Sequence, residues 1–241
     1  MFKRKIMFLS LLAFGFTGTL FASGNKDLGN GEISTVVHTP PAFDALYIHA
    51  NADVTVHLSD IPRVVISASP NMHDRIRLRS RKNELQICVR GNEKKAPRFA
   101  IDVYTPSLSG LGVGFDSRLT FANGITRNGF MLGLAGRAEI SGIVECETIE
   151  INMVGEGRIH LTGSAGTANI NLVGDGIVDI QNLRSTNTNA YIVGTGNILT
   201  WTSDNLTVTG VGNGTISYHG HPIIDITAVG TNRIIKLPDN L

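Results

Sequence analysis

Through the C-terminal half of the chain, apolar and polar residues alternate in short runs, and each run ends on the same local motif, Val-Gly-x-Gly-x-aliphatic. Four copies are complete: Val154 to Ile159, Val173 to Val178, Val193 to Ile198 and Val211 to Ile216. A degenerate copy runs from Val229 to Ile234, an earlier one from Ala135 to Ile140, and Val113-Gly114 begins one more. The first glycines of six copies are Gly136, Gly155, Gly174, Gly194, Gly212 and Gly230, in steps of 19, 19, 20, 18 and 18 residues. The second glycine is kept as Gly157, Gly176, Gly196 and Gly214.

The flanks repeat with the motif. Two residues before the glycine stand Met153, Leu172, Ile192, Gly210 and Ala228; four before stand Ile151, Ile170, Ala190, Val208 and Ile226. Between them lie polar columns: Asn152, Asn171, Tyr191, Thr209 and Thr227, and Glu150, Asn169, Asn189, Thr207 and Asp225. A period of two is the pattern of a strand with one buried face. Each repeat therefore predicts two short strands around a Gly-x-Gly bend. Glycine suits the bend through positive φ and through close backbone approach. Coils of 18–20 residues stacked in this way form an all-β, single-stranded, right-handed parallel β-helix, each coil touching only its neighbours. The paired glycines are not a dinucleotide loop, because alternating strand residues follow them where that loop needs a helix.

The N-terminal half alternates less regularly. The run Leu46, Ile48, Ala50, Ala52, Val54, Val56, Leu58 marks its first strands. Further strands are expected over 63–68, 76–79, 84–90 and 99–104, with turns at Ser69-Pro70-Asn71 and Arg81-Lys82-Asn83. Residues 42–110 are read as first coils plus an irregular β cap over the open end, residues 111–236 as regular coils, and 237–241 as a tail.

Composition adds the compartment. Residues 1–22 carry Lys3, Arg4 and Lys5 ahead of an uncharged apolar run, a secretory signal cleaved after Ala22. A polar linker, 23–41, follows. Export through a signal peptide is the one membrane contact expected, and the destination is periplasm, outer surface or medium. Removing the signal takes away three basic residues and no acid, leaving 18 basic against 20 acidic residues. That balance gives no case for specific nucleic-acid binding. Cys88 and Cys146 are the sole cysteines and are read as free thiols.

The segment Phe43 to Leu58, the repeated Gly-x-Gly units and the run Ile216-Ser217-Tyr218-His219-Gly220-His221-Pro222 together resemble the auto-transporter adhesin head GIN domain, over roughly residues 42–236. The resemblance implies a right-handed β-helix exported by bacteria, often Gram-negative, and supplies no catalytic residues. Glu156, Asp175, Thr195 and Asn213 stand where the family's bends usually carry serine.

Four groups of residues could carry chemistry. Arg75, Arg77, Arg79 and Lys82 open a basic cluster that continues through Arg81, Arg90, Lys94, Lys95 and Arg98. Arg75, Arg77 and Arg79 alternate with Ile76 and Leu78, so they are expected on one strand face, either as a site for a polyanionic glycan or lipopolysaccharide phosphate or as charge guarding an edge. His219 and His221 are spaced to share a metal but lack an evident third ligand and read as exposed turn residues, and His49 and His57, eight apart on a polar face, read as surface residues. Glu156 and Asp175 share a column in adjacent coils, the spacing for an acid and base pair or for two turn acids. No metal or cofactor is expected.

The function expected from these features is an exported, non-enzymatic, adhesin-like solenoid that binds a cell-envelope glycan, polyanion or protein, or self-associates as a homo-oligomer. The rivals are a polysaccharide lyase or hydrolase on the same fold and a structural module that binds only its own copies.

Overall fold

A computed structural model describes residues 31–92 and 95–238. The expected signal segment, the start of the linker, Glu93, Lys94 and residues 239–241 lie outside the described residues. The chain is a β-solenoid of about seven turns, with 72% of the described residues in strands. The expected β-helix is therefore the fold.

In chain order the strands are β1 (Ser34–His38), β2 (Ala45–His49), β3 (Ala52–Leu58), β4 (Arg63–Ala68), β5 (Ile76–Arg81), β6 (Glu84–Val89), β7 (Phe99–Thr105), β8 (Gly110–Phe115), β9 (Arg118–Phe121), β10 (Ile125–Gly136), β11 (Glu139–Gly155), β12 (Arg158–Gly174), β13 (Ile177–Gly194), β14 (Asn197–Gly212), β15 (Thr215–His219), β16 (Ile223–Gly230) and β17 (Arg233–Lys236). One helical turn, α1 (Pro70–His73), stands where a simple turn was expected. Strand β1 lies within the segment read as linker.

Each regular coil has three faces rather than the two predicted. In β12 the first face is 167–174, leading into the bend. The second is 158–160, leaving the previous bend, and the third is 162–165. The second and third faces join with so little interruption that one strand covers a whole coil. Coil length varies, and the variation is absorbed at the corner between these two faces. The register between β12 and β13 shifts at His160/Thr162, and that between β13 and β14 shifts at Ile180/Arg184 and Ser185/Asn187. The first face stays in register throughout, Gly136 over Gly155, Gly174, Gly194, Gly212 and Gly230.

The glycines of the bend do two different things. The first sits at positive φ, +119° at Gly174, and a Cβ there would lie 2.6 Å from the carbonyl oxygen of Gly155 in the coil below. The second glycine is absent from the positive-φ positions. It is required by proximity alone: a Cβ on Gly157 would meet the Ala138 oxygen at 2.5 Å.

The inward columns form one core. Ile151, Ile170, Met153, Leu172, Ile192 and Val208 are all buried. At the irregular corner this interior turns polar. Ser185, Thr188, Thr200 and Thr202 are buried and bond to one another, with Thr188 Oγ1 2.6 Å from Thr202 Oγ1 and Ser185 Oγ donating to the Trp201 carbonyl at 2.7 Å. Each hydroxyl finds a partner, which is what allows burial there.

In the N-terminal half, stacking order departs from chain order. Coil β2–β3 pairs in parallel with β8–β9 on one side and with β6–β7 on the other. The chain thus lays its second coil outside its first, then crosses back. It does so by reversing through β4, α1 and β5. Strand β4 pairs antiparallel with β7 and β1, and β5 antiparallel with β6. These antiparallel strands are the expected cap, and Met72, Ile76 and Ile66 are buried beneath it.

Candidate functional site

The first face is the most regular surface of the molecule. Alternation sends residues one, three and five before the bend glycine outward, so three stripes run along it. The first is Val154, Val173, Val193, Val211 and Val229, one valine per coil. These valines are apolar yet exposed, apart from the half-exposed Val193. The second stripe is Asn152, Asn171, Tyr191, Thr209 and Thr227. The third is Glu150, Asn169, Asn189, Thr207 and Asp225.

Strand stacking places successive members about 4.8 Å apart, close enough for side-chain amides to bond along the stripe. Asn171 Nδ2 donates to Asn152 Oδ1 and Asn189 Nδ2 to Asn169 Oδ1, each at 2.9 Å between coils, while Asn152 Nδ2 donates to Glu150 Oε1 at 2.9 Å within its own strand and so ties the second stripe to the third. Each amide has two N–H donors and an oxygen with two lone pairs, so one ladder bond leaves hydrogen-bonding capacity in hand. Glu150, Asn169, Asn171, Asn189, Tyr191, Thr207 and Thr209 line a shallow depression of about 340 Å³. The Tyr191 ring is 40% exposed beside it.

A second depression, about 400 Å³, lies near the junction of the cap with the regular coils and is lined by Leu58, Ser107, Leu108, Ile125, Arg127 and Asn128 among others. Its charge is already spent: Arg127 Nη1 lies 2.8 Å from Asp44 Oδ1, which also accepts from Ser107 Oγ at 2.7 Å. Burial raises the Asp44 carboxyl, but hydrogen bonds from Ser107 and Ser109 and the Arg127 charge outweigh it, leaving the pKa below the usual 3.8. Charge-assisted bonds of this kind hold the carboxylate form in the folded state. A depressed folded pKa adds stability above the unfolded value and loses it as pH falls through the folded one. Asp44→Asn is expected to cost about 1–2 kcal/mol at neutral pH. The gap from the parent should close below about pH 4, read by urea unfolding across pH.

The basic residues divide. Arg77, Arg79 and Arg81 alternate along β5, an edge strand paired with β6, and Lys82 lies in the two-residue hairpin turn. Lys82 and Asn83 both take positive φ there, +47° and +59°. Arg75 stands one residue before the strand and is half-buried, with Nε donating to the Arg90 carbonyl at 3.1 Å and its own carbonyl accepting the Arg90 N–H at 2.9 Å.

His219 departs from its reading as an exposed turn residue. It is 5% exposed, with Nδ1 2.6 Å from the Pro238 carbonyl and Nε2 3.4 Å from Gln181 Oε1. His221 is exposed, so the two imidazoles do not meet. His49 is exposed and His57 half-buried, its ring stacked on Tyr104 at 4.4 Å and its Nε2 3.0 Å from Asp102. Among the described residues no group of His, Cys, Asp or Glu is arranged to hold a metal ion.

The bend tips form a ridge. Arg137 bonds Asp116 at 3.0 Å, and the Asp175 carboxylate accepts from the Thr195 hydroxyl of the next coil. Thr231 Oγ1 donates to Asn213 Oδ1 at 2.5 Å. Asp175 thus spends itself on its threonine neighbour. Neither depression includes Asp175 or Glu156. On the second face, His160 lies 3.1 Å from Asp179, and neighbouring Ser141 pairs with Thr120 Oγ1 at 3.2 Å. Neither Cys88 nor Cys146 forms a disulfide, and burial pushes the Cys146 thiol up to about 11.

Stacking of the repeats makes the valine before each bend glycine a ladder, and the structure shows that this ladder faces water. Its signal was present: the valine precedes the glycine by one, the same parity as the polar columns.

No curated protein matches the chain. Solved structures do. A Bacteroides fragilis protein named a putative adhesin superposes with TM-score 0.78 at 19% identity, over 86% of this chain and 98% of its own. A Parabacteroides merdae protein named likewise gives 0.71 at 19%, over 87% and 98%. A Parabacteroides distasonis protein named a putative lipid binding protein gives 0.69 at 18%, over 87% and 98%. At such identities the likeness is one of fold. The sequence itself matches a family model over residues 42–222, from just before the first coil to the Tyr218–Pro222 closing run. The chain belongs to the family described as putative auto-transporter adhesin, head GIN domain.

Proposed function

We propose that this protein is an exported, adhesin-like binding module whose first face takes a neutral glycan. One observation carries the reading: polar ladders of Asn and Thr, in unbroken register from Glu150 and Asn152 to Thr209, border an exposed tyrosine and an exposed valine stripe. Sugar hydroxyls donate and accept at once, and side-chain amides answer both needs. The C–H face of a sugar ring is apolar and packs on an aromatic ring or aliphatic stripe. The repeat along the axis suits a repeating polymer, one rung per step. The family's description as adhesin heads agrees with a surface that binds rather than reacts, and the N-terminal basic and apolar residues agree with export.

The test is a glycan array on the purified protein, followed by titration of the best neutral ligand. Tyr191→Ala and Asn171→Ala are each expected to weaken that ligand about tenfold, with far-UV circular dichroism unchanged. Binding confined to anionic glycans and lost on neutralising Arg77, Arg79 and Arg81 would move the site to the β5–β6 hairpin. Release of reducing sugars from the bound polymer would make the protein an enzyme.

A further inference from the structure

The two ends of the solenoid differ. At the N-terminal end β1, β4, β5 and α1 cover the last parallel coil, and its inward residues Leu85, Ile87, Ile101 and Val103 are buried. At the C-terminal end, among the described residues, β16 pairs with β14 alone. The inward column four residues before the bend is 0–3% exposed at Ile151, Ile170, Ala190 and Val208, but Ile226 is 47% exposed. Strand β16 therefore offers one open row of backbone N–H and C=O groups together with an open end of the core, a template for another strand.

Its sequence says which strand. Seven residues before the bend glycine, the four preceding coils carry Thr148, Thr167, Asn187 and Asn205, in register with one another. The terminal coil carries Ile223, which is 76% exposed. Stability of the coil does not ask for an apolar residue pointing into water. Yet this one change makes the strand Ile223-Ile224-Asp225-Ile226-Thr227-Ala228-Val229 symmetric in polarity about Ile226. The strand below it, Asn205-Leu206-Thr207-Val208-Thr209-Gly210-Val211, lacks that symmetry.

We infer that β16 pairs antiparallel with β16 of a second copy, about a twofold axis through Ile226. That pairing sets Ile223 opposite Val229, the latter 67% exposed, and Asp225 opposite Thr227 on the outer face. On the inner face it sets Ile226 opposite Ile226 and Ile224 opposite Ala228, large against small. The period of two keeps every core residue inward in both copies. The contact is isologous, so it closes at two copies and uses up the edge rather than propagating into a fibre. It also continues the solenoid core across the junction and leaves the first-face stripes exposed along both copies.

The experiment is sedimentation equilibrium on the purified full chain over a wide concentration range. A monomer–dimer equilibrium is expected. Ile223→Thr, which restores the residue type of the inner coils at an exposed site, should weaken it severalfold. Ile226→Lys, which places two cations across the axis, should weaken it at least about tenfold. Circular dichroism confirms that both variants fold. Opposed Cα atoms in an antiparallel pair lie about 4.5–5.5 Å apart, within disulfide range. In a Cys88→Ser, Cys146→Ser background, Ile226→Cys should therefore oxidise to a covalent dimer faster than Thr227→Cys, whose counterpart is displaced along the strand. A monomer at every concentration, a dimer that survives both substitutions, or equal cross-linking of the two cysteine variants would overturn the inference.

Discussion

Gly174→Ala is expected to cost roughly 3–5 kcal/mol, a large share of the total stability of a domain. Two effects add. The φ of +119° at Gly174 is one an L side chain adopts only under strain, at about 1–3 kcal/mol. The new Cβ would also stand 2.6 Å from the Gly155 oxygen and 3.2 Å from its carbonyl carbon, both backbone atoms. That oxygen cannot move freely, because it accepts the Asp175 N–H at 3.0 Å. Displacing it gives up about 1 kcal/mol of hydrogen bonding and disturbs the register of two coils at once. Gly129→Ala is the control: no atom lies within 4 Å of a Cβ there, and its φ is not positive. It should be neutral or stabilising by up to about 0.5 kcal/mol. Urea midpoints of the two variants decide the matter. Equal shifts would show that glycine composition, and not the stacked bend, sets the cost.

The second large effect is positional within one column. Ile170→Ala should cost about 3–4 kcal/mol, because Ile170 is 1% exposed and its deletion leaves a cavity between packed coils. Ile226→Ala occupies the same column three coils further on, in register through Ala190 and Val208. It should cost less than about 1 kcal/mol when measured in dilute solution, since nearly half of that side chain already meets water. Equal costs would mean that the terminal coil is covered in the free monomer.

The coil period was legible because it is a local constraint repeated. From Gly136 onward every bend passes a glycine under the carbonyl of the coil before it, so the spacing Gly136, Gly155, Gly174 records the length of one coil; one coil earlier Phe115 holds the equivalent place at φ +62°. The inward columns were legible for the same reason: a strand with one buried face shows a period of two. The cap was legible as strands but not as an arrangement. Nothing in the order of 45–58, 63–68, 76–81 and 84–105 says that β6–β7 stacks outside β2–β3, because that depends on which edges are free when the chain reverses. The third face of each coil was missed because it is short and breaks register near Ile180 and Ser185, so its alternation is too brief to read.

The candidate site was half legible. Asn171, Asn189, Tyr191 and Thr209 were visible as polar columns, but their joining into one depression follows from stacking. Arg75 was legible as part of the basic run, but the turn of its guanidinium onto the Arg90 carbonyl follows from the hairpin that brings β6 beside it. His219 was misread because its burial depends on Pro238 arriving over it from nineteen residues away.

Sequence by itself determined the solenoid, its 18–20 residue coil, and the parity that sends each residue inward or outward. These are short-range matters of backbone sterics and hydrophobic alternation. Tertiary structure alone decided the order of the first coils, the exposure of the valine stripe as a continuous surface, and the contrast between a capped end and an open one. Those depend on which strand edge meets another and which meets water, and a residue's own neighbours in the chain do not carry that information.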